Sequence, residues 1–469
     1  MVRLPTPQRT KDVSTVDVTA NVGAQATRAR RPVADRLMRA LARLLVRVFF
    51  RRIEVVGADR LPADRPLIVV GNHTNGLVDG LLLIALLDRY PRFLGKSTLF
   101  EVVPLNPFLH LAGVVPVYRA GDGEATGRND ATFARCRQML GDGGAIAIFP
   151  EGISHDEASL QPLRTGAARI ALGAVFDEHV SGVTVVPVGL VYDAKATFRS
   201  RALVNVGPPL AIGGPPSAYA ADPHAAAKSL TAEIDVALRE VGPDYETVAQ
   251  ADVLARIADV AALEPGRQPR SAAALSARDR MARALARAER EGRLSGEELR
   301  DLLAAQDRYE RDLAALGVRD ADVAAPLTRG QMRRSLVWSA LKIVITAPIA
   351  LVGAVVHLVP YQIMKRVGRL PRNEGIRSTV KLLGCAVLFA VEWIVLAVIA
   401  GVAWGTGAGL AVLVGCPLSG YVAVRFVERV RDAGGLARAG RALRSRRDAL
   451  DAVQADRADL VARARALVP

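Results

Sequence analysis

Cysteine is scarce in this chain. Three residues in 469, Cys136, Cys385 and Cys416, are too few and too scattered for a disulfide framework or a zinc site. Two of them lie in apolar segments, where a free thiol behaves as a small hydrophobe. Aromatic residues make up only 5 %. With no reader motif and no stacking platform, the basic charge does not signal a nucleic-acid partner. Acidic residues are outnumbered, 47 Asp+Glu against 62 Lys+Arg, for a net charge of +15. The first thirty residues contain no apolar h-region, so no secretory signal is expected and the chemistry-bearing part should face the cytoplasm. No Gly-x-Ser-x-Gly elbow is present, which argues against a serine hydrolase. No His/Cys/Asp/Glu cluster has metal-ligand spacing, so no metal is expected.

What the chain does have is grease and positive charge together. Half of it, 51 %, is hydrophobic, and a pI near 10.3 accompanies a mean hydropathy of +0.21. That pairing implies a basic soluble part joined to a limited membrane part. The preference for Arg and Ala suggests coding from a GC-rich bacterial genome. The length accommodates two to three domains.

Residues 1–31 are polar and unpatterned and read as disordered. Over 32–52 the apolar Leu37, Met38, Leu41, Leu44, Leu45, Val48 and Phe49 recur at helical spacing, with Arg36, Arg39, Arg43 and Arg47 between them. Such a basic amphipathic helix either lies in a membrane interface or packs on its own domain. Over 53–217 short β-branched runs (Leu67–Val70, Val114–Tyr118, Ala145–Phe149, Thr184–Val188, Ala202–Val206) alternate with helical stretches such as Asp79–Leu87, Asp130–Leu140 and Thr165–Phe176. The alternation predicts an α/β domain with a mixed, largely parallel sheet. Residues 218–333 are Ala-rich and charged and read as a helical arm, with Ser295 and Glu298 forming a capping-box pattern.

The membrane region is expected over 334–426, with a hairpin at 382–424 turning at Gly405 and Thr406. Leu382–Trp404 is long enough to span at about 20 residues for the hydrocarbon core. Ile343–Met364, broken by Pro348 and Pro360, reads as a re-entrant or interfacial element rather than a full span. Basic flanks place both ends of the hairpin in the cytoplasm. Glu392 is either a bundle-facing carboxyl or a mark of tilt toward the interface. The tail, 427–469, reads as a solvated or surface-bound basic helix.

Chemistry concentrates at strand ends. Leu67–Val70 runs into Gly71-Asn72-His73-Thr74-Asn75-Gly76-Leu77-Val78-Asp79. Six positions along a helix turn through about 600°, leaving the two side chains about 240° apart. His73 must therefore lie on the loop, with Asp79 in the first turn of the following helix. There Asp79 could hold one imidazole nitrogen while the other takes a proton; the competing reading is a surface loop with a capping Asp. Val114-Val115-Pro116-Val117-Tyr118-Arg119 ends a second strand with a cation. Ile148-Phe149-Pro150-Glu151-Gly152-Ile153-Ser154 ends a third, and Val185-Val186-Pro187-Val188-Gly189 a fourth. Polar groups gathered at strand ends of an α/β sheet are where ligands bind.

In content and order these blocks resemble the phospholipid/glycerol acyltransferase family, the lysophosphatidate acyltransferase-like proteins, over roughly residues 53–212. The segment from Phe93 through Lys96 to Phe100 is similar as well. Most of that family places four residues between the His and the Asp, whereas this chain has five. The longer spacing is similar to the fungal-type glycerol-3-phosphate acyltransferase branch, as are Ser154-His155-Asp156, Leu160–Gly166 and Phe198–Arg201.

The resemblance implies that His73 deprotonates an acceptor hydroxyl and Asp79 orients it. It implies that Arg119 holds the acceptor phosphate, that Glu151 and Gly152 shape the pocket, and that Asn75, Lys96 and Ser154 contribute to binding. Backbone N–H groups near Pro187–Gly189 are a candidate oxyanion site. No cofactor is expected beyond the co-substrate, acyl-CoA or acyl-carrier protein. The acceptor would be glycerol-3-phosphate or 1-acylglycerol-3-phosphate, in phospholipid synthesis on the cytoplasmic side of the inner membrane, against an anionic lipid surface. Competing readings are another lyso-lipid or glycolipid acceptor, and a non-catalytic membrane scaffold.

Overall fold

The computed structural model describes residues 33–87, 89–101, 106–118, 129–212, 216–263, 274–324, 328–371, 374–445 and 447–468. The chain divides into two compact units, up to Asp244 and from Tyr245 onward.

The first unit is built on an eight-stranded sheet. Its strands are β1 (Phe50–Val56), β2 (Leu67–Gly71), β3 (Arg92–Lys96), β4 (Val115–Val117), β5 (Ala145–Ile148), β6 (Thr184–Tyr192), β7 (Ser200–Val206) and β8 (Leu210–Ala211). They run in the order β1-β7-β6-β2-β5-β3-β4, with β8 against β6. β2 is parallel to both β5 and β6, and β3 is parallel to β4 and β5; only the pairs that β6 makes with β7 and β8 are antiparallel. The sheet is thus mixed and mostly parallel, as the alternating pattern predicts. Leu67, Ile68, Val69 and Val70 are all buried, because helices cover both faces of a parallel sheet and leave its central strands no polar side.

Those helices are α1 (Val33–Phe49), α2 (Leu77–Leu86), α3 (Asn106–Leu111), α4 (Asn129–Gly141), α5 (Gly166–Phe176), α6 (Pro216–Ala221) and α7 (Pro223–Val241). α7, which the sequence reading assigns to the arm, belongs to this unit. Its Leu230, Ile234, Leu238 and Val241 join Ile68, Ile146 and Val185 in one core.

α1 packs on its own domain, one of the two placements its sequence allows: Met38, Ala42, Val46 and Phe49 are buried. Three of its charged residues also turn inward. Asp35 pairs with Arg92 at 2.9 Å, Arg39 donates to the Leu87 carbonyl and Arg43 to the Ala85 carbonyl at 3.0 Å. Carbonyls at a helix C-terminus lack intrahelical donors and carry partial negative charge, so these arginines cap α2. The exposed side carries Leu37, Leu41, Leu44 and Val48, flanked by exposed Arg36 and Arg47.

The second unit is helical: α8 (Val248–Ala261), α9 (Leu275–Arg290), α10 (Gly296–Leu316), α11 (Asp320–Ala324), α12 (Arg329–Val356), α13 (Leu358–Val367), α14 (Glu374–Trp404), α15 (Thr406–Ser445) and α16 (Arg447–Ala466). The capping box at Ser295 and Glu298 is present at the start of α10. The tail is not a solvated helix. Leu450, Val453, Leu460 and Val461 of α16 are buried with Leu254, Ile257, Leu285 and Leu302 of the arm. Its arginines explain how: buried Arg457 donates to the Val260 and Leu263 carbonyls at 3.1 and 3.2 Å, and Arg465 to Ala261. They cap the C-terminus of α8.

Three helices among the described residues are long and apolar enough to cross a membrane: 330–356, 374–404 and 406–441. Pro348 does not break α12, which runs continuously to Val356; the break falls at His357. The Glu392 Oε2 is buried and has no hydrogen-bond partner among the described residues, while its neighbour Trp393 packs against His357.

Candidate active site

Strands β2, β3, β4, β5 and β6 all point their C-terminal ends to one edge of the sheet, and the chemistry-bearing residues follow those ends. His73 lies on the loop after β2 and Asp79 in the first turn of α2, the placement that helix geometry demands of them. His73 Nδ1 is 2.9 Å from Asp79 Oδ2. An ionised carboxylate accepts only, so Nδ1 carries the proton and Nε2 is the nitrogen left to take another. The imidazole is stacked on Phe149, with ring centroids 4.2 Å apart and planes nearly parallel. About a fifth of the side chain is exposed, while Asp79 is fully buried.

Asp79 is held from two further directions. The Asn75 N–H donates to Oδ2 at 2.8 Å, and the Tyr192 hydroxyl donates to Oδ1. Desolvation, and then the Asp79 charge, push the Tyr192 pKa well above its ordinary value, so it remains a donor across the neutral range. Tyr192 ends β6, on the strand beside β2, and sequence reasoning missed it. Among the described residues no local motif announces it; only the pairing of β6 with β2 delivers it.

Glu151 is buried, and three donors of the protein converge on its carboxylate. Oε1 accepts the His73 N–H at 2.6 Å, and Oε2 accepts the Gln161 N–H at 2.8 Å and His155 Nε2–H. His155 Nδ1 accepts in turn from the Glu157 N–H, which fixes that tautomer. The His155 N–H donates to the His73 carbonyl at 3.2 Å, and Ser154 Oγ accepts the Gly76 N–H at 3.1 Å. Glu151, Ser154 and His155 together hold the His73 loop by its backbone. Asn75 is fully buried as well, and among the described residues its side-chain Oδ1 and Nδ2 have no hydrogen-bond partner. Gly152 has φ +73°, and a Cβ there would meet Arg164 Nε at 2.7 Å. The glycine thus serves a left-handed turn lying over the Arg164 side chain.

Lys96 closes β3, half-buried, opposite Val117 of β4. The end of β4 is pinned by Asn129, which exchanges two hydrogen bonds with the Tyr118 backbone. Arg119 lies outside the described residues. The expected oxyanion donors near Pro187–Gly189 are already engaged. Val188 and Gly189 sit inside the ladder with β2 and β7, and the Leu190 N–H goes to Asn72 Oδ1 at 2.7 Å.

Residues 52–191 match the family model described as Acyltransferase. Over 124 residues the chain is 39 % identical to glycerol-3-phosphate O-acyltransferase 2 of Saccharomyces cerevisiae, covering 26 % of this chain and 17 % of that protein. It is 29 % identical over 160 residues to a chloroplastic 1-acyl-sn-glycerol-3-phosphate acyltransferase of Brassica napus, covering 34 % and 43 %. The chain therefore spans less than half the length of either relative. Among solved structures, the 1-acyl-sn-glycerophosphate acyltransferase PlsC of Thermotoga maritima aligns at 19 % identity over 44 % of this chain and 77 % of that one, with a TM-score of 0.32. The family match begins inside β1 and ends one residue short of Tyr192, so the segment of this chain that is similar to the acyltransferase family takes in the His73 loop, Asp79 and Glu151.

Proposed function

We propose that this chain is a membrane-bound O-acyltransferase that moves a fatty acyl group from a thioester, acyl-CoA or acyl-carrier protein, to glycerol-3-phosphate or 1-acylglycerol-3-phosphate. The observation that carries the reading is the 2.9 Å contact of His73 Nδ1 with buried Asp79, at a sheet edge within the family-matched segment. Nε2 takes the proton of the acceptor hydroxyl as its oxygen attacks the thioester carbonyl. Asp79 stabilises the imidazolium that results. The tetrahedral adduct collapses with loss of the thiolate, and the imidazolium returns its proton to sulfur. No covalent enzyme intermediate is required.

Lys96, at the end of β3, and Arg119, two residues beyond β4 in the sequence, are the cations proposed to meet the acceptor phosphate, which favours a guanidinium fork. Three apolar helices and the outward leucine stripe of α1 support action at a lipid surface, on the cytoplasmic side of the inner membrane in this reading. The fungal-type spacing around His73 favours glycerol-3-phosphate as acceptor.

The test is transfer from labelled acyl-CoA in membranes containing the full chain, offered glycerol-3-phosphate, lysophosphatidate and other lyso-lipids in parallel. We expect transfer to one of the first two, and a loss of about 10²–10⁴-fold in His73→Ala. Full turnover in that variant would remove His73 as the base.

A further inference from the structure

The three apolar helices do not alternate across one another as three crossings would. α12 packs antiparallel to α15: Gly440 lies against the Met332 side chain near one end, and Gly353 against the Ser419 backbone near the other. α14 and α15 form an antiparallel hairpin, with Gly401 against Gly409 beside the turn at Gly405. At His357 the chain changes direction. α13 then runs antiparallel to α14, with Met364 against Gly384 and Gly368 against Lys381. His357 itself meets Trp393 of α14 and Gly420 of α15. At about 1.5 Å per residue, it lies about 18 Å along α14 from the turn at Gly405, and the start of α14 lies about 28 Å the other way. The chain thus enters along α12, reaches the level of His357, and returns along α13 to the side it came from.

We propose that α12 and α13 form a re-entrant hairpin whose tip, His357, sits near the bilayer midplane, so that three apolar helices make only two crossings. This rests on the reading of the chain as membrane-bound. Two further observations carry it. The arm precedes α12 and α16 follows α15, yet Leu254 and Ile257 share one hydrophobic core with Leu450 and Leu460. Segments that share a core lie on one side of a membrane, so the crossings between them are even in number. The basic residues agree. Lys365, Arg366, Arg369, Arg425, Arg429 and Arg431 all fall on the side away from the uncharged turn at Gly405, as the positive-inside rule requires only of an even topology.

The tip is chemically fit for its depth. Backbone that leaves helical geometry in hydrocarbon needs internal partners and protein cover. His357 is buried; its Nδ1–H donates to the Gly353 carbonyl at 2.7 Å, and its Nε2 accepts the Trp393 indole N–H at 2.9 Å.

The test uses the full chain in sealed membrane vesicles with its three native cysteines replaced and one reporter at a time: Arg333→Cys, Leu370→Cys, Thr406→Cys or Asp448→Cys, each probed with a membrane-impermeant maleimide. The expected result is reaction of positions 333, 370 and 448 from one face and 406 from the other. Position 370 reacting from the face opposite 333 overturns the re-entrant hairpin while leaving the membrane reading intact. Release of the chain by alkaline carbonate, or reaction of all four sites from one face, overturns insertion itself. A fluorophore on Leu358→Cys gives an independent reading of depth. Mid-chain brominated lipid should quench it more than headgroup-proximal bromine does, and the reverse order overturns the placement of the tip.

Discussion

Asp79 accepts from the His73 ring, the Asn75 backbone and the Tyr192 hydroxyl, and the last of these comes from a strand more than a hundred residues away. Tyr192→Phe removes one donor and leaves Oδ1 buried without it, which should cost about 1–3 kcal/mol of stability in thermal or denaturant unfolding. The base should feel it as well: with one of its three donors gone, the Asp79 carboxylate orients the His73 ring less firmly, and kcat should fall by more than KM changes. A lowered Tm with kcat retained would reduce Tyr192 to a packing residue. Glu151 makes a second residue-scale case. Gln in its place turns an amide NH2 toward one of the donors that now converge on the carboxylate. We expect kcat to fall about tenfold, equivalent to about 1.4 kcal/mol, with KM for the acceptor little changed. A raised KM with kcat retained would instead show direct contact with the acceptor.

At the scale of elements, the sheet is held to α7 by close backbone approach. A Cβ at Gly189 in β6 would lie 2.0 Å from the Val241 carbonyl oxygen, and neither backbone can yield cheaply. Gly189→Ala should therefore destabilise the first unit by about 1–3 kcal/mol or more, read as a lowered Tm, with activity falling in parallel because β6 also carries Tyr192. The strand-end motifs were legible in the sequence because parallel strands must be apolar throughout and then stop abruptly at a polar turn. Helix periodicity separated His73 from Asp79 and placed them correctly, on the loop and in the first turn of α2. Tyr192 was not legible, because its role depends on sheet order, which no local pattern carries. The bracing role of Glu151 was hidden for a related reason, since a carboxylate at a strand end looks the same whether it faces a ligand or the loop beside it. Pro348 misled in the opposite direction. Its ring was expected to interrupt an apolar segment that in fact runs on as helix and breaks at His357.

Across the whole molecule, the least legible feature was the membership of α16 in the arm. Its Arg/Ala/Asp composition reads as solvated, yet alanines permit close helix approach and the arginines are drawn inward to the carbonyls of α8. Removing residues 447–469 strips several buried aliphatic side chains, each worth about 1.5–3 kcal/mol, from a helical core whose total margin is about 5–15 kcal/mol. The truncated chain should expose the 248–316 region to limited proteolysis in membranes. Protection equal to that of the full chain would mean that α8–α10 stand without their C-terminal partner.

That shared core also imposes an order on synthesis. In the two-hairpin topology proposed above, the arm leaves the ribosome well before α16 and waits, its apolar face incomplete, while both hairpins are made and inserted. Only the last twenty or so residues let it close. Closure then fastens the hairpins from outside, like the pin of a brooch. A chain in which the arm and α16 met before insertion would have sealed its greasiest segments on the wrong side of that clasp, in water.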